Sequence, residues 1–68
     1  MKSFNEWELA LLTYDEEVIR ETARKLHVIM PTDKKAFWLI VAAAILRIKN
    51  ASAFDRETAF NIQREVRG

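Results

Sequence analysis

Residues 33–49 read DKKAFWLIVAAAILRIK, and the fold follows from how this stretch must be buried. Ala36 to Leu46 form an unbroken apolar run of eleven residues, with Lys34 and Lys35 before it and Arg47 and Lys49 after it. A membrane-crossing helix needs roughly 20 apolar residues, so the run is too short to span a bilayer. An interfacial helix needs a sharply polar face, and this run has none. Read at helical spacing, Phe37, Val41, Ala44 and Ile48 make one stripe, Leu39, Ala43 and Leu46 a second, and Trp38 with Ile45 a third. A helix apolar around its whole circumference is a central one, contacted on every side. Ala42, Ala43 and Ala44 thin its midpoint, so that a neighbouring backbone can approach closely.

The neighbours are placed by caps and periodicity. A first helix is expected over about 4–13, opened by a Ser3–Glu6 capping box, with Phe4, Trp7, Leu11 and Tyr14 on one stripe. A second runs over about 16–28 behind a Thr13–Glu16 box, with Asp15, Glu16 and Glu17 at its positive end. Its inner face is Ile19, Ala23, Leu26 and Met30, flanked by Val18 and Ile29, and Pro31 ends it near Met30. Glu16–Arg20 and Glu21–Lys25 are i,i+4 pairs in the favoured order. A fourth helix covers about 55–66 with Asp55 or Ser52 as N-cap. Its inward residues are Ala59, Ile62 and Val66, and Arg56, Phe60, Gln63, Arg64 and Arg67 share an adjoining arc.

Composition agrees with a single all-α domain, a bundle of about four short helices around the 33–49 helix. The chain of 68 residues has one glycine (Gly68), one proline (Pro31) and no cysteine. That leaves little material for hairpin turns and none for disulfides or thiolate zinc sites. A chain of this size buries only about 60% of its unfolded surface, so its core is small. No apolar signal-peptide core follows Met1, and the lack of cysteine fits a reducing cytosol, so a cytoplasmic location is expected. Net charge is +1 but uneven: residues 1–33 hold four basic and seven acidic side chains, residues 34–68 seven basic and three acidic.

Few residues point to chemistry. His27 is the only histidine, and without a second histidine or a cysteine a zinc site has no ordinary ligand set. Asp15, Glu16, Glu17 and Glu21 sit at a helix start among arginines, where capping and ion pairing account for them better than acid–base catalysis. There is no internal glycine to cradle a phosphate. No cofactor and no catalytic residue are therefore expected. The constellation with a functional look is Arg56, Phe60, Gln63, Arg64 and Arg67. Arginine and glutamine contact phosphates and base edges, and Phe60 can pack on a sugar or a thymine methyl. The connection at about 50–54 suits a helix-turn-helix in length but lacks the glycine often found there. The competing reading is a Phe60 covered by arginine stems.

From Asp33 onward the chain resembles a family of small phage- and prophage-associated helical proteins. The resemblance rests on Asp33, Phe37-Trp38, Val41 and Ala44 (D-x3-F-W-x2-V-x2-A), with Arg56 and Arg67-Gly68 at similar spacing. Where that family often has a His-Lys pair, this chain has Ala42-Ala43, and Ile62 stands where a second tryptophan is common. The resemblance implies a mobile-element origin and carries over no catalytic residue.

The expectation is a non-enzymatic module that docks onto another protein, with the Arg56–Arg67 arc meeting an acidic surface. The alternative is a small DNA-binding regulator using the last helix. Three short neighbours screen about three sides of a central helix, so Trp38 and Ile45 are expected to form a self-association seam. Closed two-fold dimers are the commonest oligomers, so a homodimer is the expected assembly, and a membrane is not an expected partner.

Overall fold

The computed structural model describes residues 3–68, which form α1 (Glu6–Leu11), α2 (Glu16–Lys25), α3 (Lys34–Leu46) and α4 (Ala53–Arg67), with no strand among the described residues. The all-α bundle read from the sequence is thus present, with the ends of α1, α2 and α3 drawn inward and α4 lengthened to begin at Ala53 and end at Arg67. Each shift has a local cause. At α1 the capping box is Asn5–Glu8 rather than Ser3–Glu6. Asn5 is extended, its side chain accepts from the Glu8 N–H at 2.7 Å, and the Glu8 carboxylate accepts from the Asn5 N–H at 3.0 Å. This later start leaves Phe4 outside the helix, packed against the core.

At α2 the N-cap is Asp15, whose carboxylate accepts from the N–H groups of Glu17 and Val18. Thr13 cannot serve, because its hydroxyl donates to the Ala10 carbonyl at 2.6 Å and accepts from the Asp15 N–H. The far end of α2 closes before Val28. His27 adopts a left-handed φ of 61°, and the Val28 N–H donates to the Ala23 carbonyl at 2.7 Å while the His27 N–H donates to Arg24. This pair of bonds is a Schellman termination. It turns Leu26 and Ile29 out of the inner face, so of the four residues expected there only Ile19 and Ala23 are buried, and Met30 packs partly.

The core is one cluster of Leu11, Ile19, Phe37, Val41, Ala42, Ile45, Ile48 and Ala59, with Phe4, Trp7, Tyr14, Trp38 and Ile62 packed around it. All four helices contribute, and α3 packs most extensively on α4. Asp33 caps α3 by accepting from the Ala36 N–H, and at its other end Arg47 and Ile48 donate to carbonyls three residues back. That tighter last turn brings Ile48 into the core at 3% exposure. The thinnest dimension of the molecule is 16 Å. Two helix layers 8–10 Å apart, with a backbone radius of 2.3 Å on either side, account for about that much. In two layers no helix is covered all round. Accordingly Ile40 is 45% exposed and Ala43 is open to solvent, although α3 was expected to be enclosed on every side.

Arg20 does more than its sequence spacing indicated. It pairs with Glu16 at 2.9 Å, donates to the carbonyls of Pro31 and Thr32, and lays its guanidinium 4.2 Å from the centroid of the Phe37 ring. One side chain thereby ties α2, the α2–α3 connection and the start of α3 together. A planar fork with five donors can do this, whereas a lysine ammonium cannot.

Candidate functional site

The last helix is the element whose exposed face carries the candidate residues, and its first turn is fixed from outside. Ser52 is the N-cap, with its hydroxyl oxygen accepting from the Asp55 N–H at 3.1 Å. Asp55 then sits in the first turn, where the helix dipole favours a carboxylate. It accepts from the Ser52 hydroxyl at 2.9 Å and from the Tyr14 hydroxyl at 2.7 Å. The second bond joins residues 41 positions apart, so it holds the α1–α2 connection against α4 and helps to set which face α4 turns outward.

Burial pushes the Tyr14 phenol up to about 12, and the hydrogen bond to Asp55 and its negative charge act in the same direction. The folded value lies above the ordinary 10.0, so folding favours the neutral phenol. The stabilisation is complete below pH 10 and is lost as pH rises toward 12. Tyr14→Phe should cost about 1 kcal/mol at neutral pH, the usual worth of one hydrogen bond. Urea unfolding of both forms should show that difference shrinking above pH 10. A constant difference up to strongly alkaline pH would mean that Tyr14 does not donate to Asp55.

With α4 so placed, Ala59 is fully buried and Ile62 and Val66 are half-buried. On the adjoining arc Arg56, Phe60, Arg64 and Arg67 are exposed, and Gln63 is half-buried at the edge nearest the core. Phe60 keeps 54% of its surface in solvent, so arginine stems do not cover it. Arg64 donates to the Asn61 side chain at 3.1 Å. Among the described residues the ion pairs are Arg20–Glu16 and Lys25–Glu6, and none involves these arginines. Glu57, Asn61 and Glu65 are exposed on the other flank. They share it with Phe54, 72% exposed, which lies in the first turn because α4 begins at Ala53, two residues before the expected Asp55.

The two residues expected to form a self-association seam are not a surface pair. Ile45 has no exposed area, because it points into the core cluster that α3 shares with its neighbours. Trp38 is half-buried, edge-on to Phe37 with centroids 5.1 Å apart and planes at 86°. It lines a groove of about 380 Å³ with Tyr14, Thr58, Ile62, Glu65 and Val66.

The acidic residues near the start of α2 have structural partners, Asp15 with backbone N–H groups and Glu16 with Arg20. His27 is exposed at the turn after α2. Among the described residues no three His, Cys, Asp or Glu side chains converge as a metal site would require. No protein-family model, curated protein or solved structure matches the chain.

Proposed function

We propose that this chain is a non-enzymatic helical module that binds an acidic protein surface through Arg56, Phe60, Arg64 and Arg67 of α4. The observation that carries the reading is Phe60, more than half exposed on an arc with three arginines that have no ion-pair partner among the described residues. An aromatic ring beside arginines is the combination enriched at energetic centres of protein interfaces. The D-x3-F-W-x2-V-x2-A resemblance supports an accessory role in a phage or other mobile element. Pairing of two copies belongs to the same proposal, through Ile40 on the open side of α3 rather than through Ile45.

The test is capture of partners from the native host with wild type and with Phe60→Ala and Arg64→Glu/Arg67→Glu variants, followed by titration of the purified partner. Phe60→Ala should weaken binding by about 30-fold, the scale of an interface hot spot. Both variants alter exposed residues, so their circular dichroism should match wild type. A partner bound equally by all three forms would remove α4 from the interface. The alternative reading is a DNA-binding regulator, supported by the short 47–52 connection from α3 to an α4 that faces its arginines outward. In that case duplex DNA binds with an affinity that falls steeply with salt, because phosphate contacts release counterions. A gel shift at physiological salt would put this reading first.

A further inference from the structure

α3 and α4 lie side by side as one layer of the molecule, and the two edges of α4 differ in character. One edge faces the α1–α2 connection. There Asp55 accepts from the Tyr14 hydroxyl, and Ile62, Glu65 and Val66 line the groove with Tyr14 and Trp38. Residues step about 100° around a helix, so Gln63, Arg56, Arg67 and Phe60 fall in turn on the other edge, away from Tyr14. On α3 the same step carries Leu39, Ala43 and Leu46 past Trp38 to the side that α1 and α2 leave open. The two sets meet on the outer face of the layer, where a shallow valley runs between the helices.

The valley has an apolar floor and a basic wall. Leu39 and Leu46 are half-buried, Ala43 is exposed, and their i, i+4, i+7 spacing makes one stripe along α3. Gln63 is half-buried where the floor meets α4, and Phe60 keeps 54% of its surface in solvent. Arg56 and Arg67 stand on the α4 side and Lys35 at the end where α3 begins. All three are exposed, with no ion-pair partner among the described residues. Residues 34–46 contain no acid, and Asp33 is turned to the Ala36 N–H that it caps. Of the acids on α4, Asp55 and Glu65 belong to the Tyr14 edge, which leaves Glu57, beyond Phe60 on one stripe with Arg64. Arg47 is not part of the wall, because it lines a cavity with Glu8.

We propose that this valley receives an amphipathic helix of a partner protein, apolar along its buried stripe and acidic along the edge that meets α4. The inference rests on the acidic-surface reading of the α4 arc and extends it to α3 and to the form of the partner. Charge complementarity selects the acid, since the wall is basic. Backbone chemistry selects the helix. α3 and α4 spend their N–H and C=O groups on their own hydrogen bonds, so a docked segment gains no main-chain partner from them. A helix arrives with those bonds already made, and lays its apolar face into such a groove. Ala43, at the middle of the stripe, lets it approach closely. The 13 residues of α3 offer about 20 Å of floor, close to four helical turns. Ile40 lies on the far edge of α3 beside Asn5 and Glu8, so the two-copy contact is a separate surface. Duplex DNA would meet the same arginines, but its phosphates have no use for the apolar floor.

The probe is a fluorescein-labelled peptide with leucines at i, i+3, i+4 and i+7 and glutamates on both flanks, followed by anisotropy. One control peptide carries lysine in place of glutamate, and another a central proline that breaks the helix. The glutamate peptide should bind at least about tenfold more tightly than either control. Ala43→Glu should lower its affinity by about tenfold or more, and Arg56→Glu or Arg67→Glu by about fivefold each. Ala43→Ser, and Glu21→Gln on α2, should leave it within about twofold. Every altered residue is exposed, so circular dichroism should be unchanged. Absence of binding, equal binding of either control peptide, or full binding by Ala43→Glu overturns the proposal. Displacement of the peptide by duplex DNA at physiological salt overturns it in favour of nucleic acid. Sedimentation that rises with concentration in wild type and not in Ala43→Glu overturns it in favour of a second copy. Capture of the host partner separates this inference from the reading beneath it. If Phe60→Ala loses the partner and Ala43→Glu keeps it, the α4 arc stands and the valley falls; if both keep it, both fall.

Discussion

Phe37→Ala should leave this domain unfolded or close to it. Phe37 has no exposed surface, and its ring centroid lies 5.1 Å from that of Trp38 in a T-shaped pair and 4.2 Å from the Arg20 guanidinium carbon. Truncating a buried phenylalanine costs about 3–5 kcal/mol, and losing the cation–π contact adds about 0.5–2 kcal/mol. The usual stability per residue gives a chain of 68 residues only about 3–10 kcal/mol in total. The loss is therefore comparable with everything the fold has. Thermal unfolding followed by circular dichroism should show the midpoint falling by roughly 15 °C or more. Phe37→Leu keeps most of the volume and should fall less, by the aromatic share alone. If Phe37→Ala melts like wild type, Phe37 is not the centre of the core.

Ile45→Ala should cost about 2–5 kcal/mol, and by the same amount at every protein concentration. Ile45 is enclosed within one chain, at 0% exposure, so the methyl groups it loses come from a site the monomer has already closed. Were Ile45 at a subunit seam, the cost would depend on concentration, because association stabilises the folded state by mass action. Melting curves over a range of protein concentration, with sedimentation in parallel, separate the two cases. Ile40→Ser is the companion measurement. Ile40 is 45% exposed on the open side of α3, so in a monomer the substitution should move stability by no more than about 0.5 kcal/mol. A midpoint that rises with concentration in wild type and not in Ile40→Ser would place the pairing surface there.

The helices themselves were legible because their signals are local. The stripe of Phe4, Trp7, Leu11 and Tyr14 does reach the core, and caps do open each helix. Where the boundaries moved, two local solutions competed. Ser3–Glu6 and Asn5–Glu8 both offer a capping box, and Thr13 and Asp15 both offer an N-cap oxygen. Neighbouring residues do not distinguish them, since the choice depends on where Phe4 packs and which carbonyl the Thr13 hydroxyl reaches. α2 ends before the expected Val28 for a related reason. Pro31 marks a stop, but the stop came earlier through a left-handed His27, a conformation that costs a residue with a Cβ about 1–2 kcal/mol. Its bonds to Ala23 and Arg24, and the grip of Arg20 on Pro31 and Thr32, hold it there.

The candidate arc on α4 could be read in advance because α4 has a polar and an apolar side, so its own residues say which way it faces. On that basis Ala59 is buried and Arg56, Phe60, Arg64 and Arg67 are outside. α3 is the opposite case. Its composition alone made it the central helix of an all-α bundle. Its hydrophobicity is spread almost evenly around the axis, so nothing within residues 34–46 prefers one rotation about that axis over another. The rotation was set by the neighbours: α4 packed closely beside it, and Arg20 stacked on Phe37. That is why Ile45 is enclosed while Ile40 stands open. A side chain's distance from water is a property of the layers around it, and a helix without a polar face carries no record of where those layers lie.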